Sequence, residues 1–157
     1  MDSLVLARAV HLLGLVHWIG GLAFVTLVVL PAARHAVPAK ERLAFFERIE
    51  QRFASQARVS VTLVGLSGFA MTEIMDAWYR FQDAGFWWMH AMVLVWLLFT
   101  VMLFLAEPLF FDAWFHRRAE RDPESAFAFM QRAHLILLSV SAITLAGAAL
   151  GAHGVIF

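Results

Sequence analysis

Histidine is the residue type through which this 157-residue chain could do chemistry. It has seven, and five of them fall within or against long apolar stretches: His11, His17, His90, His134 and His153. Imidazole binds haem iron and transition metals, and a polar side chain in hydrocarbon is costly and usually turned inward. A lone intramembrane histidine often only bonds one helix to another, but a set of five favours a cofactor site.

The composition defines the class of protein that must position these histidines. Hydrophobic residues make up 62% of the chain and charged residues only 15%, which is outside the range of soluble domains. Twelve basic residues balance twelve acidic ones, which argues against nucleic-acid binding. Disulfides and cysteine-held metal sites are excluded because the chain has no cysteine. The sequence predicts an all-α, single-domain, four-helix transmembrane bundle in contact with membrane lipid.

The apolar runs set the predicted helix bounds at about 4–31, 58–76, 86–107 and 123–157. Pro31 and Glu107-Pro108 predict the ends of the first and third helices, and Asp122-Pro123 predicts an N-cap for the fourth. Residues 40–57 are amphipathic, with Phe46, Ile49 and Phe53 on one face. We expect this segment to extend the second helix or to lie at the interface rather than to dock a partner.

The charges predict the orientation. Six basic residues lie between Arg34 and Arg58 and four between Arg117 and Arg132, against only Arg8 and Arg80 on the opposite side. The positive-inside rule therefore places both basic loops in the cytoplasm. The expected location is the bacterial inner membrane, with both termini in the periplasm.

The first helix carries a face of small residues. Gly14 and Gly21 are seven residues apart on one face, His11 and His17 flank it within about 70°, and Trp18 lies beside His11. Such a face favours either a groove for a neighbouring helix or a slot for a planar macrocycle with a histidine at its edge. A small-residue face also predicts a homodimer.

Depth along the helices selects the predicted ligands. At 1.5 Å per residue, His11 lies roughly 10 Å below the outer surface, and His90 and His153 lie roughly 6 Å below it. A bis-histidine haem needs two imidazoles at similar height on facing helices, and this trio meets that requirement. His17 with His134 is a second, inner pairing of poorer height match. Arg8 and Arg80 are the outer cations, so they are candidate partners for haem propionates or interfacial anchors.

A methionine and histidine set near the outer surface suits a different chemistry. Thioether and imidazole ligands together favour Cu(I), although methionine is also an ordinary core residue. The members of this set are Met71, Met75, Met89, His90 and Met92.

The first helix also resembles a known family. The segment from His11 through His17-Trp18 to Leu30-Pro31 is similar to the first helix of the CopD-like bacterial integral membrane proteins, and the aromatic third helix ending at Glu107-Pro108 is similar too. The resemblance implies His11, and less directly His17, as haem or metal ligands. Copper-resistance members are implicated in copper uptake, and small relatives resemble b-type cytochromes. Membrane protoporphyrinogen oxidases are also similar but use a lysine in a later helix, and the one lysine here is Lys40, in a loop.

These observations lead to one favoured function and two alternatives. We expect a transmembrane protein that binds haem b for electron transfer or a small redox reaction near the periplasmic face, its donor and acceptor unidentified. A saturated bis-histidine iron favours electron transfer, whereas a single histidine favours reaction with oxygen, superoxide or a quinone. The alternatives are a copper-handling membrane protein and a helper subunit without a cofactor.

Overall fold

The computed structural model describes the backbone of residues 3–155, and the side chains of these residues except 107–116. This part of the chain is helical and contains no strand. Four long helices form the fold. They are α1 (Ser3–Phe24, continued by Val25–Val29 and Leu30–Ala36), α2 (Arg42–Ile74), α3 (Trp87–Val101, continued by Met102–Phe111 and Asp112–Arg121) and α4 (Pro123–Ala152).

Short connections join the helices. A 3₁₀ turn at Ala39–Glu41 links α1 to α2, and two more at Trp78–Gln82 and Ala84–Phe86 link α2 to α3. Asp122 caps the start of α4, where its carboxylate accepts a hydrogen bond from the Ser125 amide at 3.0 Å. Asp122 is therefore the N-cap of α4 and Pro123 lies in its first turn, as the sequence predicts.

Two prolines that we expected to end helices lie inside them. Pro31 follows the π-helical turn Val25–Val29, in which the Leu30 amide bonds to the Val25 carbonyl five residues back, and α1 then continues to Ala36. Pro108 falls within the π-helical backbone stretch Met102–Phe111 of α3. Proline lacks an amide proton and its ring crowds the carbonyl four residues back. A π-helical turn changes that local pairing, so the helix continues past the proline.

The second helix is longer than the predicted 58–76, because the amphipathic residues 40–57 largely belong to it. Helix α2 runs without a break from Arg42 to Ile74. At its start, Arg42 forms an ion pair with Glu124 at 2.8 Å, which joins the beginnings of α2 and α4. Of the two expected arrangements, the extension of the second helix is therefore the one found for this segment.

Three helical stretches of the described chain are long and apolar enough to cross a membrane: Ser3–Ala36, Ala84–Ala106 and Pro123–Ala152. Helix α2 is not among them, because its first part is charged and serine, threonine and glycine dilute the rest. The predicted membrane character is therefore supported by three helices, and the predicted second span is not.

Helix packing joins α1 closely to α2 and α3 to α4. Two buried clusters stabilise this arrangement. The cluster nearer the prolines includes Leu30, Phe46 and Phe127, and the other includes Trp18, Val64 and Phe99. The indole of Trp18 meets the ring of Phe99 edge-on, with centroids 4.9 Å apart.

Glycines on α2 and α4 receive indole rings from α3. A Cβ atom at Gly65 would lie 2.6 Å from the Trp96 ring, and Cβ atoms at Gly147 and Gly151 would meet Trp87 and Trp88 at 2.5 and 2.0 Å. Each tryptophan thus fills a space that only glycine leaves open. These three glycines are therefore used for packing within the chain, and the homodimer stays a prediction.

Candidate cofactor site

His11 is held in a defined orientation by α2. Its Nδ1 donates to the Val64 carbonyl at 3.0 Å, with the Ser67 hydroxyl oxygen 3.2 Å away as a second acceptor. Because the carbonyl can only accept, the ring proton is on Nδ1 and Nε2 keeps its lone pair. Among the described residues Nε2 has no hydrogen-bond partner. Metal-ligating histidines are often oriented by a carbonyl in this way.

Gly68 provides the space for that ring. A Cβ atom at residue 68 would lie 3.2 Å from His11 Cε1 and 3.5 Å from Nδ1, which is tighter than ordinary van der Waals contact. The glycine on the second helix is thereby explained by the histidine on the first. The sequence pointed to His11 as a candidate ligand but did not pair it with this glycine.

His11 lines a cavity of about 630 Å³ formed by all four helices and the turn at Trp78–Gln82. Its volume lies within the ~300–1,000 Å³ typical of small-molecule and cofactor sites. The walls are almost entirely apolar and aromatic; they include Ile19, Phe69, Trp78, Phe81, Met89, Met92, Val95 and Trp96. The predicted site residue Trp18 also lines this cavity.

Two buried polar atoms in the cavity walls lack a partner among the described residues. They are Trp18 Nε1 and Ser141 Oγ, on side chains that are 3% and 1% exposed. An unsatisfied buried polar group costs roughly 1–3 kcal/mol, so such atoms are rare unless something binds to them. Sequence reasoning missed Ser141, because serine in an apolar helix usually bonds to its own backbone.

The predicted slot for a macrocycle at Gly14 and Gly21 is filled by α2. A Cβ atom at Gly14 would lie 2.7 Å from Val64 Cγ2, and one at Gly21 would lie 2.1 Å from the Phe53 ring. These glycines therefore allow close packing of α1 on α2, which is the other interpretation of this face, and they do not line the cavity that holds His11.

His17 uses both ring nitrogens in hydrogen bonds to α2. Nδ1 is 2.8 Å from Ser60 Oγ and Nε2 is 3.2 Å from Gln56 Oε1. The residue is exposed and lies outside the cavity. Both ring nitrogens of His17 therefore have hydrogen-bond partners in this arrangement, and its role as a metal ligand stays a prediction.

His90 and His153 do not join His11 in the cavity. His90 is exposed and packs edge-on against Phe81, with centroids 5.4 Å apart. His153 is exposed at the end of α4, where its Nδ1 donates to the Ala149 carbonyl at 2.7 Å. The depth argument compared the heights of His11, His90 and His153 but not the directions of their side chains. The structure does not bring these three histidines together at the cavity. Among the described residues there is no cluster of three or more potential metal-binding side chains.

The two outer arginines also point elsewhere. Arg8 is exposed and its Nη2 lies 3.7 Å from Met75 Sδ. Arg80 lies over the rings of Tyr79 and Phe86. Neither lines the cavity, and their roles as partners of haem propionates or as interfacial anchors stay predictions.

His134 lies at a second, smaller cavity of about 340 Å³. Its Nδ1 donates to the Met130 carbonyl at 3.0 Å and its ring meets Phe46 edge-on. Trp18, Glu47 and Glu50 also line this smaller cavity. His17 is not among its lining residues, so the predicted inner pairing of His17 with His134 is not formed.

Comparison of the chain with protein-family models, with curated proteins and with solved structures finds no match. The geometry around His11 is therefore the basis on which a function is assigned.

Proposed function

We propose that this chain is a four-span protein of the bacterial inner membrane that binds haem b in the cavity beside His11. His11 is the axial ligand, and the protein carries out electron transfer or a small redox reaction near the periplasmic face. The observation that supports this proposal is the hydrogen bond between His11 Nδ1 and the Val64 carbonyl, which leaves Nε2 unpartnered on a residue that lines a large apolar cavity.

The exposed side chains of α2 support its role as the fourth span. Leu66 and Phe69 are 66% and 64% exposed on its surface, and Val59 is 60% exposed. Large apolar side chains in such numbers are unfavourable in water but suit the hydrocarbon of a bilayer. Three polar residues of α2, Ser60, Ser67 and Thr72, are buried against the bundle.

The chain's own residues would perform three tasks at the site. Val64 and Ser67 hold the imidazole of His11, and hydrogen bonding of this kind raises the basicity of a ligating histidine. Gly68 leaves room for the ring. The apolar and aromatic walls would lower the dielectric around a bound group and so influence its potential. When bound, haem b supplies one-electron redox chemistry.

The number of ligands favours a small redox reaction over plain electron transfer. His11 is the one histidine that lines the cavity in the described part of the chain, because His90 and His153 are exposed elsewhere. A single imidazole leaves room for oxygen, superoxide or a quinone to approach, whereas a bis-histidine site is saturated. The Ser141 hydroxyl, on a residue that lines the cavity, is buried and has no partner among the described residues.

The visible spectrum of the detergent-purified protein tests the proposal. After haem-replete expression we expect a Soret band that is lost in His11→Ala and retained in His35→Ala, an exposed histidine outside the cavity. The band should also survive in His90→Ala and His153→Ala. Absence of the band in the folded wild-type protein would contradict haem binding.

Copper handling is a second candidate, because Met89 and Met92 line the same cavity as His11. Two thioethers and an imidazole suit Cu(I). The other predicted pair, Met71 and Met75, does not line this cavity. Cu(I) binding that is lost in Met89→Leu/Met92→Leu and kept in Met71→Leu/Met75→Leu would favour this candidate. A protein that binds neither group would fit the helper-subunit alternative.

A further inference from the structure

A groove separate from the His11 cavity lies between α1 and α2. It is closer than that cavity to the end of the bundle that carries most of the basic residues. It has a volume of about 870 Å³ and shares no lining residue with the His11 cavity. Its apolar wall includes Phe24, Ile49 and Phe53, and its rim includes Arg48 and Arg52. The lining contains no acidic residue.

The two arginines have no ionic partner within the described part of the chain. Both are exposed, and they lie one turn apart on the same side of α2. The nearest acidic residues in the sequence, Glu47 and Glu50, line the smaller cavity with His134 instead. Paired guanidinium groups without carboxylates are well suited to a phosphate, which they can bind through two parallel hydrogen bonds.

The height of the groove matches a membrane surface. Measured along α2 from Ile74, Arg52 lies 22 residues down and Arg48 lies 26 residues down. These separations correspond to about 33 and about 39 Å. With Ile74 placed at the outer edge of the hydrocarbon core, which is about 30 Å thick in a bilayer of about 40–45 Å, both guanidinium groups reach the inner headgroup layer. Gly21, 18 residues into α1, lies at about 27 Å, so the adjoining part of the groove faces acyl chains.

We propose that this groove binds an anionic phospholipid of the inner leaflet. Arg48 and Arg52 bind the headgroup phosphate, and an acyl chain lies against Phe24 and Phe53. The charge of the rim, the apolar wall and the height of both relative to the bilayer point to the same occupant. This inference rests on the transmembrane placement in the proposed function and is independent of the haem.

Native mass spectrometry of the full-length protein with phosphatidylglycerol tests the site. Basic residues near an anionic lipid contribute about 1 kcal/mol each, so Arg48→Gln/Arg52→Gln should bind this lipid about 30-fold more weakly than wild type. The matched control is Arg117→Gln/Arg121→Gln, which removes two exposed arginines one turn apart on α3, away from the groove. That control should retain the lipid.

Competing probes separate the possible occupants. Phosphatidylcholine should bind more weakly than phosphatidylglycerol, and inorganic phosphate at equal concentration should not displace the lipid. Equal retention by both double variants, or displacement by inorganic phosphate, would overturn the proposal. Because both arginines are exposed, the variant should stay folded, which circular dichroism checks. The Soret band measured on the same samples distinguishes failure of the lipid site from failure of haem binding.

Discussion

The imidazole edge of His11 lies against Gly68, so that a Cβ atom on residue 68 would stand 3.2 Å from His11 Cε1. The contact joins a histidine on α1 to a glycine 57 positions later on α2. It makes the glycine part of the site, because displacement of the ring edge would weaken the hydrogen bond between His11 and the Val64 carbonyl.

Substitution Gly68→Ala should therefore disturb His11 without removing it. We expect a lower haem-to-protein ratio and a shifted Soret maximum, because the ring must move by several tenths of an ångström and its hydrogen bond weakens. The measurement is the absorbance spectrum with quantified haem and protein. Gly20→Ala is the control, since a Cβ atom there meets nothing within 4 Å. Identical spectra for the two variants would contradict the positioning role.

Substitution Gly65→Ala should destabilise the bundle. The added methyl would lie 2.6–2.7 Å from three atoms of the Trp96 indole, whose Nε1 donates to the Val61 carbonyl at 2.9 Å. Overpacking of this kind costs about 1–3 kcal/mol. Thermal unfolding in detergent should show a lower Tm for Gly65→Ala than for Gly20→Ala. In the double variant Gly65→Ala/Trp96→Leu, part of the loss should be recovered, and strict additivity would argue against direct contact.

Substitution Ser141→Ala should stabilise the cofactor-free protein or leave it unchanged. Its hydroxyl is buried with no partner among the described residues, so its removal avoids a cost of roughly 1–3 kcal/mol. Ser139→Ala is the comparison, because that exposed hydroxyl donates to the Leu135 carbonyl. The two variants are compared by thermal unfolding after haem removal. A marked loss of stability specific to Ser141→Ala would show that the hydroxyl is satisfied in the free protein.

Arg58 connects α2 to the π-helical part of α3. Its Nε donates to the Leu103 carbonyl at 2.9 Å, and a hydrogen bond from a charged donor contributes about 1.5–3 kcal/mol. Arg58→Gln should lower the Tm of the purified protein, whereas Arg117→Gln, at an exposed position, should not. If both variants unfold at the wild-type temperature, this bond does not stabilise the bundle.

The all-helical fold was predictable from the composition and the long apolar runs. The cap of α4 was predictable because the Asp122-Pro123 sequence acts locally. The continuation of α1 past Pro31 was not, because a π-helical turn depends on how the whole segment packs. His11 was found by its residue type and depth. Its partners Val64, Ser67 and Gly68 were not found, because the pairing of two faces of different helices is not encoded in either helix alone. His17 illustrates the same limit, since Ser60 and Gln56 occupy both its nitrogens.

In the proposed transmembrane arrangement, the tryptophans that pack against glycines allow helix assembly to be followed separately from membrane insertion. An isolated α3 inserted in a bilayer would leave Trp87, Trp88 and Trp96 in lipid or at its surface. Only docking on α2 and α4 moves these indoles against Gly65, Gly147 and Gly151. Intrinsic fluorescence during refolding into vesicles should thus resolve a later step, after helix formation is complete by circular dichroism. Trp87, Trp88 and Trp96 are thus intrinsic fluorescent probes of the packing of α3 on α2 and α4.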